Sequence, residues 1–268
     1  MAGEREADVT AAAFDRAAVD FSRLSPLLWD PVGAATVAVS APAAGERVLD
    51  ACCGDGASAI PAARRVGGTG AVDAVDLSGP MVGLLRERAA GLPQLTAHQA
   101  DVTSWPGTGY DVVQCVLGAF FFPDMAAGTD HLVGRVRPGG RVAVTIWHRD
   151  AMVAAGRAIA GAAAAERGER AQVPRASSAV QQLGDPDAFG AWLTARGLEQ
   201  VAVSVAAHAV EATEEALWLL VLGSGFRGLL TELDDAAVDR VRGRYLEQLV
   251  GGPAIDATTL VGFGQRPD

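Results

Sequence analysis

The ten residues Asp50-Ala51-Cys52-Cys53-Gly54-Asp55-Gly56-Ala57-Ser58-Ala59 follow an apolar run and bring two glycines, two carboxylates and two thiols into one turn. A turn of this kind lets backbone N–H groups approach a ligand. Read as Gly54-x-Gly56-x-x-Ala59, it matches the G-x-G-x-x-G/A fingerprint of a dinucleotide site. Read as Asp50-x-Cys52-x-Gly54-x-Gly56, it is an acid followed by small residues, suited to an adenosine ligand that carries positive charge. Asp50 separates the two readings. It stands just before the turn, where a carboxylate repels a pyrophosphate and attracts an ammonium, directly or through water. Two further acids end apolar runs. Asp76 lies about twenty residues past the glycines, where an acid bonds ribose hydroxyls, and Asp101 suits the adenine amino group.

Composition removes several alternatives. The 268 residues are 50% hydrophobic, enough for one large core, and carry a net charge of −10, which disfavours nucleic acid as a partner. The chain has neither lysine nor asparagine. A Walker A lysine, a Schiff-base lysine and a Tyr-x-x-x-Lys dehydrogenase are therefore impossible. Cys52, Cys53 and Cys115 lack metal-ligand spacing, so no metal is expected. No apolar run spans a membrane and no leader pattern opens the chain, so the expectation is a cytoplasmic protein.

The elements that must position these acids follow from hydrophobic periodicity. A helix is expected over 10–23 and another over 32–40. Strands are expected to end at Asp50, at Asp76, near Asp101, after "YDVVQCVLG" and at Trp147, with helices at 57–66, 79–90 and 125–136 between them. That alternation predicts an α/β fold with a parallel sheet covered on both faces. Beyond Trp147 come helices at 150–167 and 185–196, a sixth strand in "LEQVAVSVAAHAV", helices near 213–231 and 235–249, and a last strand at 258–266. The chain reads as a single domain, 1–268. It has a cofactor core at 45–148, an N-terminal helical cap at 10–40, and lid elements at 150–197 and 213–249.

"VLDACCGDG", "AVDLSGPMV", "ADVTSWP", "YDVVQCVLGAFFFPD" and "VRPGGRVAVTIW" stand in this order across residues 45–148. The set resembles the successive motifs of class I S-adenosylmethionine-dependent methyltransferases, in the small-molecule branch similar to the quinone-biosynthesis enzymes. The resemblance implies a Rossmann-like seven-stranded sheet whose last strand is antiparallel, which 258–266 would supply. It implies that Asp50, Cys52, Gly54 and Gly56 surround the methionine part of the cofactor and that Asp76 holds the ribose. Leu77 and Met81 would pack on adenine, Asp101 and Val102 would meet its edge, and Val116 and Leu117 would lie near the sulfonium. Cys52 departs from the family's glycine and narrows the loop.

The substrate side rests on aromatic residues and one histidine. Three consecutive phenylalanines at 120–122 cannot all enter one core, so Phe120 and Phe121 are expected to face a substrate, with Phe14, Phe21, Trp29, Trp147 and Trp218 as further walls. Among the four histidines, His148 follows the fifth strand at its carboxyl end and is the expected general base; His98 and His131 are expected to be structural. An Asn-Pro-Pro-Tyr motif is absent, which disfavours macromolecular substrates. The expected activity is methyl transfer to O, N or C of a small, largely apolar or aromatic metabolite, in natural-product tailoring, with no metal and no nucleic-acid or membrane partner. A nicotinamide oxidoreductase and a non-catalytic cofactor-binding protein are the alternatives. The acceptor atom and the choice between monomer and homodimer stay open.

Overall fold

A computed structural model describes residues 14–170 and 181–268. The first helix, α1, runs over 14–24; the expected helical residues 10–13 lie outside the described residues, as do residues 171–180. The core then alternates strand and helix: α2 (Trp29–Ser40), β1 (Arg47–Ala51), α3 (Ala59–Val66), β2 (Ala71–Asp76), α4 (Gly79–Arg88), β3 (Leu95–Gln99), β4 (Tyr110–Val116), α5 (Met125–Arg135) and β5 (Val136–Trp147). There follow α6 (Val153–Arg167), α7 (Pro186–Thr194), β6 (Glu199–Ala206), β7 (Ala209–Val210), α8 (Glu214–Leu222), α9 (Asp235–Leu249), β8 (Ile255–Asp256) and β9 (Thr259–Gln265).

Seven strands form one sheet in the order β3-β2-β1-β4-β5-β9-β6. The strands β1 to β5 are parallel, and β9 runs antiparallel to both β5 and β6. The order reverses between β1 and β4. At that point the crossovers depart to opposite sides and leave a crevice beyond the carboxyl ends, the usual ligand position in an open α/β sheet.

Two-residue alternation along the strands divides the core. Val48, Val72, Ala74 and Val112 pack with Ile60, Val66, Val82 and Leu85 on one face. Their neighbours Leu49, Val75 and Val113 pack on the other with Leu132, Ile146, Phe189 and Leu193. A third cluster belongs to the helices outside the sheet: Leu24, Leu28, Ile159, Leu217, Leu220, Val241 and Tyr245. Val116, Leu117 and Trp147, at the carboxyl ends of β4 and β5, join it, so this helical layer sits over the carboxyl edge.

Local chemistry fixes the helix starts. Ser78, Asp124, Asp185, Thr213 and Asp234 each accept a hydrogen bond from a backbone N–H in the first turn of their helix. Each such cap contributes about 1 kcal/mol.

Several boundaries differ from the sequence expectation. The third strand ends at Gln99, so Asp101 caps a short 3-10 turn over Val102–Ser104 instead of ending a strand. The sixth expected strand divides into β6 and β7, and β7 pairs with β8 as a separate hairpin. The expected helix over 213–231 breaks at Gly223, where an added Cβ would press on the Asp20 carbonyl, and resumes as 3-10 turns over Gly225–Leu230.

Gly262 lies inside β9, and a Cβ there would run into Leu193 and Phe189. Gly243 lies in α9 with open space around it. Gly262→Ala is therefore expected to destabilise the protein by about 1–3 kcal/mol through overpacking. Gly243→Ala is expected to stabilise it by about 0.5–1 kcal/mol through backbone entropy. Urea denaturation of both variants beside the parent checks the pair; equal and opposite-to-expected shifts would contradict the packing described.

Candidate active site

The loop after β1 starts in an unusual conformation. Cys52 has φ 57, in the left-handed region that costs a side-chain-bearing residue free energy. Its position is dictated from the opposite loop: a Cβ on Gly118, just past β4, would fall on the Cys52 side chain. The two loops at the switch point are thus in direct contact.

Asp50 is completely buried. The Ser58 hydroxyl is within hydrogen-bond range of both its oxygens, at 3.0 and 2.8 Å. Burial pushes its pKa up to about 7, against the pull of the Ser58 and Gln114 hydrogen bonds and with a small further push from Asp76. Asp50 does not line the cavity described below. Its carboxylate ties the loop to the start of α3 from beneath, and the structure offers it no direct path to a ligand ammonium. Gly56 is likewise off the cavity; a Cβ there would meet Leu85, so the glycine seats the loop on α4.

Asp76 closes the loop from the other side. Its Oδ2 accepts from Gly54 N at 2.8 Å and its Oδ1 from Ser78 N at 2.9 Å. Burial raises its pKa, opposed by these backbone bonds. A carboxylate has about four acceptor positions, so two remain for a ligand. Asp101 also lines the cavity, with Oδ1 accepting from the backbone and hydroxyl of Thr103 at 2.8 and 2.7 Å.

These groups open onto one cavity of about 890 Å³. At one end lie Cys52, Gly54, Asp76, Leu77, Met81 and Asp101, with Val102 beside them. Val116 and Leu117 lie on its wall past β4. The aromatic residues form a connected series along it. Phe14 meets Phe121 edge-on at 5.4 Å and Phe21 at 6.4 Å; Phe21 stacks on Trp29 at 4.8 Å; Trp29 stands 6.3 Å from Trp147; Phe120 lies 4.8 Å from Phe121. Of the aromatic residues expected here, Trp218 lies elsewhere. It lines a separate shallow groove, under the Arg242 guanidinium and 6.4 Å from the Tyr245 ring.

His148 is also off the cavity. Trp147 and Arg149 line it, but the residue between them does not. Adjacent residues of an extended segment face opposite sides, and the expectation that put both Trp147 and His148 in the site overlooked this. The His148 Nδ1 instead accepts from Asp150 N at 3.3 Å. The remaining histidines bond to Asp73, to the Trp105 carbonyl and to the Leu27 carbonyl. Among the described residues no three His, Cys, Asp or Glu converge as metal ligands would.

Sequence reasoning passed over two features. Asp55, in the same loop, is buried and pairs with Arg88 Nη1 at 2.5 Å and the Ser25 hydroxyl at 2.8 Å, joining the loop to the cap. A face of α6 also lines the cavity; its signal was the spacing of Val153, Gly156, Arg157 and Ala160 at i, i+3, i+4 and i+7.

Sheet order, the left-handed Cys52 and the acids lining the cavity define an α/β protein with a crevice at its switch point. Residues 48–140 match the family described as methyltransferase domain. The chain is 33% identical over 137 residues to aklanonic acid methyltransferase DauC of Streptomyces sp. strain C5, covering 50% of this chain and 62% of the relative. It is 33% identical over 139 residues to demethylmenaquinone methyltransferase of Clavibacter sepedonicus, covering 51% of this chain and 54% of that one. The chain therefore spans less than two thirds of these curated relatives. The YcgJ protein of Bacillus subtilis shares the fold, with a TM-score of 0.53 at 15% identity over 88% of this chain and 98% of that one. Over residues 48–140 the chain is thus similar to methyltransferase domains, and its sheet has the Rossmann-like order of that fold.

The buried Asp50 makes a test of the loop. Its folded pKa, about 7, lies above the ordinary carboxylate value of 3.8, so the folded state keeps a proton that the unfolded state has lost between those values. Stability then falls as pH rises through about 4 to 7 and levels off above. Asp50→Asn, which retains an acceptor for Ser58, is expected to show a shallower loss between pH 4 and 8. Parallel slopes for variant and parent in urea unfolding would mean that Asp50 is ionised throughout.

Proposed function

We propose that the protein transfers a methyl group from S-adenosylmethionine to O, N or C of a small, largely apolar or aromatic metabolite, in natural-product tailoring. The observation that carries this reading is the single cavity with two chemically different ends. Acceptors and small residues gather at Cys52–Gly54, Asp76 and Asp101, and aromatic rings at Phe14, Phe21, Trp29, Phe120, Phe121 and Trp147. Its volume is ample for a nucleoside together with a second small molecule. The activities for which these relatives are named, on aklanonic acid and on demethylmenaquinone, support the same class of substrate.

The residues fit the cofactor. Asp76 retains free acceptor positions for ribose hydroxyls, Leu77, Met81 and Val102 supply apolar surface for adenine, and Asp101 stands ready for its amino group. When bound, the cofactor supplies an electrophilic methyl group on a sulfonium. The chain's own contribution is alignment and exclusion of water. Holding two reactants in line contributes roughly 7–11 kcal/mol to such a displacement. The segments 14–40, 153–167 and 214–249 form a cap over the site, and their apolar cluster keeps the reacting centre dry. The reaction as we read it uses no metal.

Calorimetry and a transfer assay test this together. S-adenosylhomocysteine is expected to bind at micromolar concentration and NAD(H) negligibly. Asp76→Ala removes a charge-assisted bond worth about 1.5–3 kcal/mol, a ten- to hundredfold loss of affinity. Unchanged affinity in that variant, or NAD(H) binding in its place, would defeat the proposal.

His148 offers a second test. Because it stands off the cavity, His148→Ala is expected to leave kcat within about threefold and the pH–rate profile unaltered. A fall of about 10²–10⁴, the span of general-base catalysis, would restore it to the mechanism.

A further inference from the structure

The cavity face of α6 is apolar apart from Arg157. Val153, Gly156, Arg157 and Ala160 form that face, while Ala155, Ala158, Ile159 and Ala162 turn into the core of the cap. The other described arginines near the cavity and within the packed cap helices are engaged. Arg149 pairs with Asp185 at 3.2 Å and Arg227 with Asp20 at 2.8 Å. Arg167 donates to the carbonyls of Leu229 and Thr231, both at 2.9 Å. Arg240 and Arg244 share Glu166, and Arg242 pairs with Glu214. Among the described residues Arg157 has neither a hydrogen-bond nor an ion-pair partner, although the chain carries a net charge of −10 and offers carboxylates in excess. Arg149, also on the cavity wall, adds a second positive group offset by Asp185. The cavity's own lining carboxylates, Asp76 and Asp101, belong to its cofactor end.

A guanidinium on an apolar wall presents a planar fork of donors that suits a carboxylate. We infer that the substrate is an aromatic acid whose carboxylate pairs with Arg157 and holds the ring system against the phenylalanine and tryptophan wall. This rests on the methyl-transfer reading and adds the charge of the substrate to it. The carboxylate is the handle and not the methyl acceptor, because a guanidinium on the acceptor oxygen would hold the lone pairs that must attack. Arg157 is exposed, so the pairing is screened and its selectivity is moderate.

The test uses two probes of equal shape, anthracene-2-carboxylate and its neutral carboxamide, titrated by fluorescence with and without S-adenosylhomocysteine. The parent is expected to bind the carboxylate about tenfold more tightly than the amide, equivalent to about 1.4 kcal/mol, with the preference shrinking as salt rises. Arg157→Gln should lose the preference while keeping the affinity for the amide, and Arg157→Lys should retain part of it. Unchanged melting temperatures would confirm that both variants fold. The inference is overturned if the parent does not distinguish the probes, if neither binds, or if Arg157→Gln keeps the preference. Failure of S-adenosylhomocysteine to bind is a separate result: it removes the methyl-transfer reading, while the carboxylate preference is still read in the cofactor-free titration.

Discussion

Asp76 accepts hydrogen bonds from Gly54, in the loop after β1, and from Ser78, at the start of α4, while half-buried at the cavity wall. A carboxylate in that position is costly unless its oxygens are satisfied, so both loops must come to it. The left-handed Cys52, the contact between Gly118 and the Cys52 side chain, and the Ser58 hydroxyl on Asp50 all follow from bringing them together. The crevice at the switch point is therefore bounded by two loops that share one half-buried carboxylate.

The loop also reaches the cap. Asp55 joins Arg88, and Arg88 joins Asp30, while Ser25 donates to Asp55. Asp15 accepts from the Ser78 hydroxyl at 2.5 Å, and Phe14 and Phe21 rest on the same region. The segments that carry the aromatic wall of the cavity are thus tethered to the loops that carry its acids. The cofactor end is made of three consecutive strand–loop units, each local in sequence. The substrate end is drawn from α1, α6, the 3-10 turns near Phe226 and the loop past β4.

That difference explains what the sequence revealed. Strand ends and the acids at them are properties of short windows, so β1 to β5 and Asp76 at the end of β2 are readable from periodicity and turn chemistry, whereas Asp101 falls past the end of β3. Asp50 stands out in the sequence as a carboxylate before a glycine turn, but the expected attraction to a ligand ammonium does not follow, because the side chain is buried beneath the loop. Whether it would face the ligand or the inside of the loop depended on Ser58 folding back, which no spacing announces. His148 and Trp218 illustrate two other limits. A residue at the end of a strand has two sides to choose from, and neighbouring residues take opposite ones. An aromatic residue on a helix, here α8, can serve the outer groove as well as the inner wall. Arg157 was passed over because a single arginine in an alanine-rich helix reads as a solvated face until the opposite side of that helix is known to be buried.

The placement of β9 bears on how the chain is made. It lies between β5 and β6 in space but follows β6 in sequence by about fifty residues. On a ribosome, β1 to β5 emerge in order and can pair as they come. β6 cannot, because its only neighbour in the sheet has not been synthesised. At ~5–20 residues per second, β6 waits roughly three to ten seconds as an unpaired strand. Its exposed Val205 and alternating small residues are open to solvent or to chaperones during that interval. The cofactor crevice belongs to the early part of the nascent chain and the sheet is sealed only by its late part, so a translational pause after β6 would leave a nearly finished site beside an open hydrogen-bonding edge.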